Sequence, residues 1–246
     1  MTIALETERL SIAFGGLKAV DAVSFSAARN QITTVIGPNG AGKTTLFNLI
    51  SGGLKPASGK VLFEGRDVTG FNPAALQKAG LARSFQITNL FFELTLRENL
   101  GLAAQPLDPV VNAFLPVGRR GRAAAKVEAL IERFGFGPKA HEPVGALSHG
   151  EQRLLEIAMC LASEPKILML DEPTQGMSHG DTEDTAQMIR SLSSEVTVLL
   201  IEHDIALVMS LSDHVVVMHQ GQKLAEGTPE AMRNNPAVQA AYLGQG

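Results

Sequence analysis

Thr33-Thr34-Val35-Ile36-Gly37-Pro38-Asn39-Gly40-Ala41-Gly42-Lys43-Thr44 is the stretch on which the fold turns. Its apolar opening reads as a buried strand that runs directly into Gly37, and Lys43 to Ile50 regains helical character. Strand, glycine-rich loop and helix follow in order, and every specified position of the phosphate-binding loop pattern is filled from Gly37 to Thr44. Glycines let the backbone curl until successive N–H groups face phosphate oxygens, while the helix beginning near Lys43 adds its positive end. Asn39, Gly40, Ala41, Gly42, Lys43, Thr44 and Thr45 are therefore the expected phosphate contacts. Lys43 is placed to reach the β and γ phosphates, and Thr44 to offer a hydroxyl to Mg²⁺, an ion that takes oxygen ligands.

Working outward, the segment from Leu5 to Phe25 is strand-like around a Gly15-Gly16 turn, and Lys60 to Phe63 before Glu64-Gly65 reads as another hairpin element. Together they predict a small antiparallel layer. Further on, Ile167 to Leu170, Val196 to Ile201 and Val215 to Met218 are short runs of the kind buried on both faces of a parallel sheet. Helical stretches near Thr182 to Ser191 and Ile205 to Leu211 separate them, which implies right-handed crossovers. Between about Gln86 and Ser163 the chain turns to helix formers, notably Arg122 to Phe134 and Gln152 to Ala162, with loops around Pro106, Pro109, Pro116 and Pro138. The expected architecture is one α/β domain over 1–246: a P-loop core with a parallel sheet, a small antiparallel β layer, and a helical lobe at approximately 87–163 inserted into the core.

Composition narrows the function. The 246 residues are 45% hydrophobic and 19% charged, with a mean hydropathy of +0.10, yet no apolar run approaches the ~18 to 20 residues that cross a bilayer. The start of the chain carries Glu6 and Glu8 and lacks a basic, then apolar, leader, so the chain reads as cytosolic. A single cysteine, Cys160, excludes an intramolecular disulfide framework and reads as a small buried hydrophobe. A formal net charge of -4 weighs against a nucleic-acid binder. The basic cluster of Arg119, Arg120, Arg122 and Lys126 reads as a solvated helix end.

Two further motifs carry chemistry. Lys166-Ile167-Leu168-Met169-Leu170-Asp171-Glu172 is an apolar strand delivering two carboxylates at its C-terminal end, the edge at which open α/β sheets bind ligands. Asp171 suits the metal and Glu172 the water that attacks a γ-phosphate. In Leu147-Ser148-His149-Gly150-Glu151-Gln152, Ser148 and Glu151 form a capping box at the head of an amphipathic helix. Such a helix start, open between Ser148 and Gly150, can also offer N–H groups and a hydroxyl to a γ-phosphate bound by a second subunit.

These motifs, in this order and over the whole chain, resemble those of ABC transporter ATPases. The resemblance implies ATP and Mg²⁺ as ligands and a second ATPase subunit, identical or different, as partner. It implies that Ser148, Gly150 and Glu151 belong to the nucleotide site. Gln86, in Arg83-Ser84-Phe85-Gln86, takes the Q-loop position that touches Mg²⁺ and attacking water, and His203, in Glu202-His203-Asp204, that of the switch histidine. Phe14 takes the position of the aromatic that stacks on adenine, with Val20 as a second apolar contact. A narrower likeness runs through Phe14 to Val20, Thr44 to Gly52, and the tail from Ala225 to Pro229, Asn234 to Pro236 and Ala241 to Gly244. These are similar to the ATP-binding subunits of branched-chain amino acid importers, some of which serve other small solutes. Membrane permease subunits, an indirectly coupled solute-binding protein and a peripheral place on the cytoplasmic face of the inner membrane follow from it. Leu90, Phe91, Phe92 and Leu94 would then lie at the groove that receives a permease helix. Two positions depart from the family: His149 stands where glycine is commonest, and Ser178 where many relatives carry aspartate.

Rivals are separable by sequence to different degrees. A GTPase would need an Asn-Lys-x-Asp element, which is absent, and a small-molecule kinase leaves the Ser148 motif without purpose. Non-transport ABC ATPases of DNA repair or translation typically carry a long coiled-coil insertion or two ATPase units. A lipid-export motor would show almost the same motifs and stays open at this stage. Lys43→Ala should sharply weaken ATP binding, since an ammonium and its bonds to two phosphates are lost; nucleotide affinity measured with Mg²⁺ present checks this, and unchanged affinity and turnover would remove the loop assignment.

Overall fold

The computed structural model describes residues 2–84, 90–107 and 121–243. Gln86, Arg119 and Arg120 lie outside the described residues. The first layer is an antiparallel sheet of order β2-β1-β4-β5, formed by β1 (Ile3–Phe14), β2 (Leu17–Ala28), β4 (Ser58–Phe63) and β5 (Arg66–Asp67). Phe14 pairs with Leu17 across the turn, where Gly15 adopts φ 58.

The second sheet contains β3 (Ile32–Ile36), β6 (Leu81–Arg83), β7 (Ile167–Asp171), β8 (Thr197–Ile201), β9 (His214–His219) and β10 (Gln222–Gly227), ordered β10-β9-β3-β8-β7-β6. β9, β3, β8, β7 and β6 run parallel, as expected from the alternation of strands and helices. β10 departs from that expectation: it returns antiparallel to β9. Gln220 and Gly221, with φ 48 and 80, form the tight turn between them, and so short a link permits only a hairpin.

Period-2 alternation explains why the central strands are apolar throughout. Leu168, Leu170, Val198 and Leu200 face one apolar cluster, while Ile167, Met169, Leu199 and Ile201 face another. On the first side lie α3 (Leu96–Ala104), α4 (Gly121–Arg133) and α5 (His149–Ala162). Their Leu100, Val127, Leu130, Leu155 and Leu161 share that cluster with the sheet, as do Ile189 and Leu192 of α6 (His179–Leu192). The second side packs against the antiparallel layer, α1 (Lys43–Ile50) and α2 (Pro73–Ala79). A third cluster gathers Ile36, Val208, Val215, Val217, Met232 and Val238 around α7 (Ile205–Leu211), α8 (Pro229–Arg233) and α9 (Pro236–Leu243). No helix of the described residues is long and apolar enough to cross a membrane.

Between β3 and α1 the backbone is hemmed in by its neighbours. A side chain on Gly37, at φ 152, would put Cβ 2.2 Å from the Met218 carbonyl oxygen; on Gly42, at φ 96, Cβ would fall 2.2 Å from that of Ala19. The Gly221 N–H also donates to the Ala41 carbonyl at 3.1 Å. Thus the end of β9, the start of β2 and the β9–β10 turn together mould the loop. Gly42→Ala adds backbone strain of about 1–3 kcal/mol to that clash; urea unfolding should show a loss of at least this size, whereas Gly40→Ala, facing open space at φ 77, should show the strain alone.

Candidate active site

Parallel register brings the sequence-predicted residues to one edge. Val35 pairs with Ile201, and Ile201 with Asp171, so Gly37, Glu172 and His203 leave their strands side by side. α1 starts at Lys43 with Gly42 as its N-cap in the left-handed region and no side-chain cap. By contrast Asn72, Thr95, Ser148, Ser178, Asp204 and Thr228 each cap the helix they precede. The first N–H groups of α1 are thereby left for an anion rather than a neighbouring side chain.

Lys43 is buried, with 8% exposure, and its Nζ donates to the Gly37 and Pro38 carbonyls at 2.7 and 3.1 Å. Burial pushes its ammonium below the ordinary lysine range, while Glu172 and Asp171 pull it back up. Asn39, Gly40 and Thr44 are exposed and Thr45 half-buried, while Ala41 is buried within the core.

Asp171 ends β7 almost fully buried. Its Oδ2 accepts from Arg83 Nη2 at 3.1 Å, and Arg83 Nη1 donates to Asn48 Oδ1 and Ser51 Oγ, both at 2.7 Å. Arg83 also lies over the Phe47 ring, 5.7 Å from its centroid. Burial raises the Asp171 carboxyl above the usual range against the pull of Arg83. Among the described residues its Oδ1, which is buried, has no hydrogen-bond partner. A buried carboxylate oxygen left open beside the Lys43 ammonium fits a hard cation.

Glu172 has φ 48, an uncommon conformation for a non-glycine residue, and its N–H donates to the Ile201 carbonyl at 3.0 Å. That turn directs the chain off the sheet edge. His203 Nδ1 sits 3.7 Å from Glu172 Oε1 and 3.9 Å from Glu202 Oε2. Glu202, fully buried, accepts from Thr174 Oγ1 at 2.7 Å and from the His203 N–H at 3.2 Å. Burial pushes its carboxyl upward, and those hydrogen bonds oppose the shift.

At the Ser148 motif the capping box forms on both arms. Ser148 Oγ accepts from the Glu151 N–H at 3.3 Å, and Glu151 Oε2 accepts from the Ser148 N–H at 2.9 Å. Lys139 Nζ donates to Glu151 Oε1 at 2.6 Å, and Gln152 Nε2 donates to the Val144 and Leu147 carbonyls, tying down the approach to the helix. Ser148 and His149 are exposed. A Cβ on Gly150 would meet Asp181 of α6 at 3.4 Å, so the Ser148 motif abuts the helix that Ser178 caps. Phe14 is half exposed at the hairpin tip, but Val20 has 1% exposure and faces the core.

Sequence reading assigned no role to Arg83 or Glu202. Each left a signal, a charge at the end of an apolar strand, but their partners Asp171 and Thr174 lie far away in sequence. A family model described as ABC transporter matches residues 20–175. A second, described as branched-chain amino acid ATP-binding cassette transporter, matches 222–246. The chain belongs to the ABC transporter family and is one of its ATPases. Within that family it is 44% identical to the high-affinity branched-chain amino acid transport ATP-binding protein BraF of Pseudomonas aeruginosa, over 98% of both chains. It is 41% identical to LivG of Escherichia coli, a protein of the same description, again over 98% of both. A crystal structure of an ATP-binding cassette of an ABC transporter in its ADP conformation superposes with a TM-score of 0.89 at 33% identity, covering 100% of each chain.

Removing Arg83 strands a buried carboxylate, a change that typically costs about 3–5 kcal/mol. Arg83→Met should lose stability of that order in urea unfolding, and adding Asp171→Asn to it should recover part of the loss.

Proposed function

We propose that the chain is the ATP-hydrolysing motor of an importer for branched-chain amino acids or a related small solute. The observation that carries this reading is the match of residues 222–246, outside the general ATPase motifs, to the branched-chain amino acid transporter model. Phe14 stacks on adenine, while the loop from Asn39 to Thr45 and the head of α1 hold the phosphates. Thr44 and Asp171, with Gln86, would hold Mg²⁺, whose charge offsets that of the phosphate oxygens. Glu172 accepts a proton from the attacking water as its oxygen bonds to the γ-phosphorus; the bond to the bridging oxygen breaks and ADP departs with that oxygen. His203 hydrogen-bonds the γ-phosphate, and Lys43 stabilises charge on the β and γ phosphates. Ser148 and Gly150, at the capped head of α5, present the Ser148 hydroxyl and the N–H groups ahead of Glu151 to the nucleotide of a second ATPase subunit, which makes the working unit a dimer.

The partner in the membrane is a permease pair, and the chain sits peripherally on its cytoplasmic side. A cavity of about 360 Å³ between α2, β6 and α5 supports a docking groove there, lined by Pro73, Leu81, Leu90 and Met159 among others. Phe91 and Phe92 stand beside Leu90 in the chain, 54% and 42% exposed.

Glu172→Gln keeps the shape of the side chain but cannot take the water's proton, so ATP should still bind, hydrolysis should fall about 10² to 10⁴-fold, and an ATP-bound dimer should accumulate. Ser148→Arg should leave its own chain binding ATP while disabling the partner's site. In a mixed dimer of the two variants both defects fall on one composite site, so hydrolysis should reappear in the mixture and be absent from either homodimer. An active enzyme that stays monomeric at every protein concentration would overturn the arrangement. If the natural partner is a different ATPase subunit, the mixture is made with that chain.

A further inference from the structure

The C-terminal helix has no part in the steps above, yet it is built with care. Asn235 Oδ1 accepts from the Ala237 and Val238 N–H groups at 2.9 and 3.3 Å, Pro236 opens the helix, and Gln239 Nε2 donates back to the Arg233 carbonyl at 2.9 Å. So anchored, α9 sends Val238 and Tyr242 into the third apolar cluster, where Ile36, Val215, Val217 and Met232 meet them. Ile36 is the last residue of β3, covalently joined to Gly37. The Tyr242 ring thus packs at the point where the strand becomes the phosphate-binding loop.

Its hydroxyl is the anomaly. Among the described residues Tyr242 Oη, buried, has no hydrogen-bond partner, and phenylalanine would fill the same volume without that desolvation cost. Burial pushes the phenol up to about 12, and the Gly37 backbone pulls against it. An N–H is the backbone group that lowers a phenol in this way. Gly37, at φ 152 and pressed on Met218, carries no side chain to screen that N–H.

We propose that Tyr242 is a positioning residue for the phosphate-binding loop: its hydroxyl accepts the Gly37 N–H when the loop tightens on nucleotide, which makes the C-terminal helix a working part of the site. The inference rests on the reading of Gly37 to Thr45 as the nucleotide's loop. Tyr242→Phe in the full chain tests it, with calorimetric ATP affinity and melting temperature both measured. Without nucleotide the variant should melt at or above the parent temperature, because an unsatisfied hydroxyl has gone. Its ATP affinity should be about three- to tenfold weaker, the size of one neutral hydrogen bond, and its rise in melting temperature with saturating ATP smaller. Unchanged affinity would overturn the proposal, as would a weaker affinity accompanied by an equal loss of stability without nucleotide, since Tyr242 would then be scaffold alone. Lys43→Ala run beside it separates the two levels. If that variant also binds normally, the loop reading itself fails; if it binds weakly while Tyr242→Phe binds normally, only the role of Tyr242 fails.

Discussion

One row of the parallel sheet holds the site together. Val35, Ile201 and Asp171 lie level across β3, β8 and β7, so the loop that opens at Gly37, Glu172 and His203 begin at the same height. A slip of β7 by one residue would turn Asp171 to the other face, away from α1 and Arg83. The apolar alternation forbids it, since the same slip would exchange the residues of two packed clusters. The short apolar strands buried on both faces are thus also what sets the chemistry in register.

Polar groups of high cost gather along that row. Lys43, Arg83, Asp171 and Glu202 are all buried or nearly so, and Glu172 holds a backbone angle that few side chains accept. Each is compensated locally: Arg83 by Asp171, Asn48 and Ser51, Glu202 by Thr174 and the His203 N–H. Such a frame is stiff before any ligand arrives, which is what electrostatic catalysis of phosphoryl transfer requires. Asp171 Oδ1 and the uncapped start of α1 stand apart from this frame, and both face the chemistry proposed for them.

What could be read from the sequence was what is local. The strand, glycine loop and helix around Lys43, the strand ending in Asp171-Glu172 and the capping box at Ser148 are contiguous patterns, and each forms as its residues dictate. The antiparallel return of β10 is not legible in the sequence, because Gln222 to Gly227 is mostly polar and offers no apolar alternation. Arg83 and Glu202 have no legible purpose in the sequence, because their meaning lies in partners 88 and 28 residues distant. Val20 shows the converse: a position transferred from a family likeness, whose side chain points into the core.

Cys160 packs half-buried against the lobe and lines the cavity between α2, β6 and α5. Burial there, with Glu156 nearby, pushes its thiol up to about 12. A thiol raised in this way holds little of the thiolate at neutral pH, and the thiolate is the form that attacks alkylating reagents and disulfides. The native cysteine is therefore nearly silent in thiol chemistry. A cysteine introduced on the exposed surface could be labelled with a dye or spin probe in the presence of Cys160, with no need to replace it and disturb the packing around the cavity.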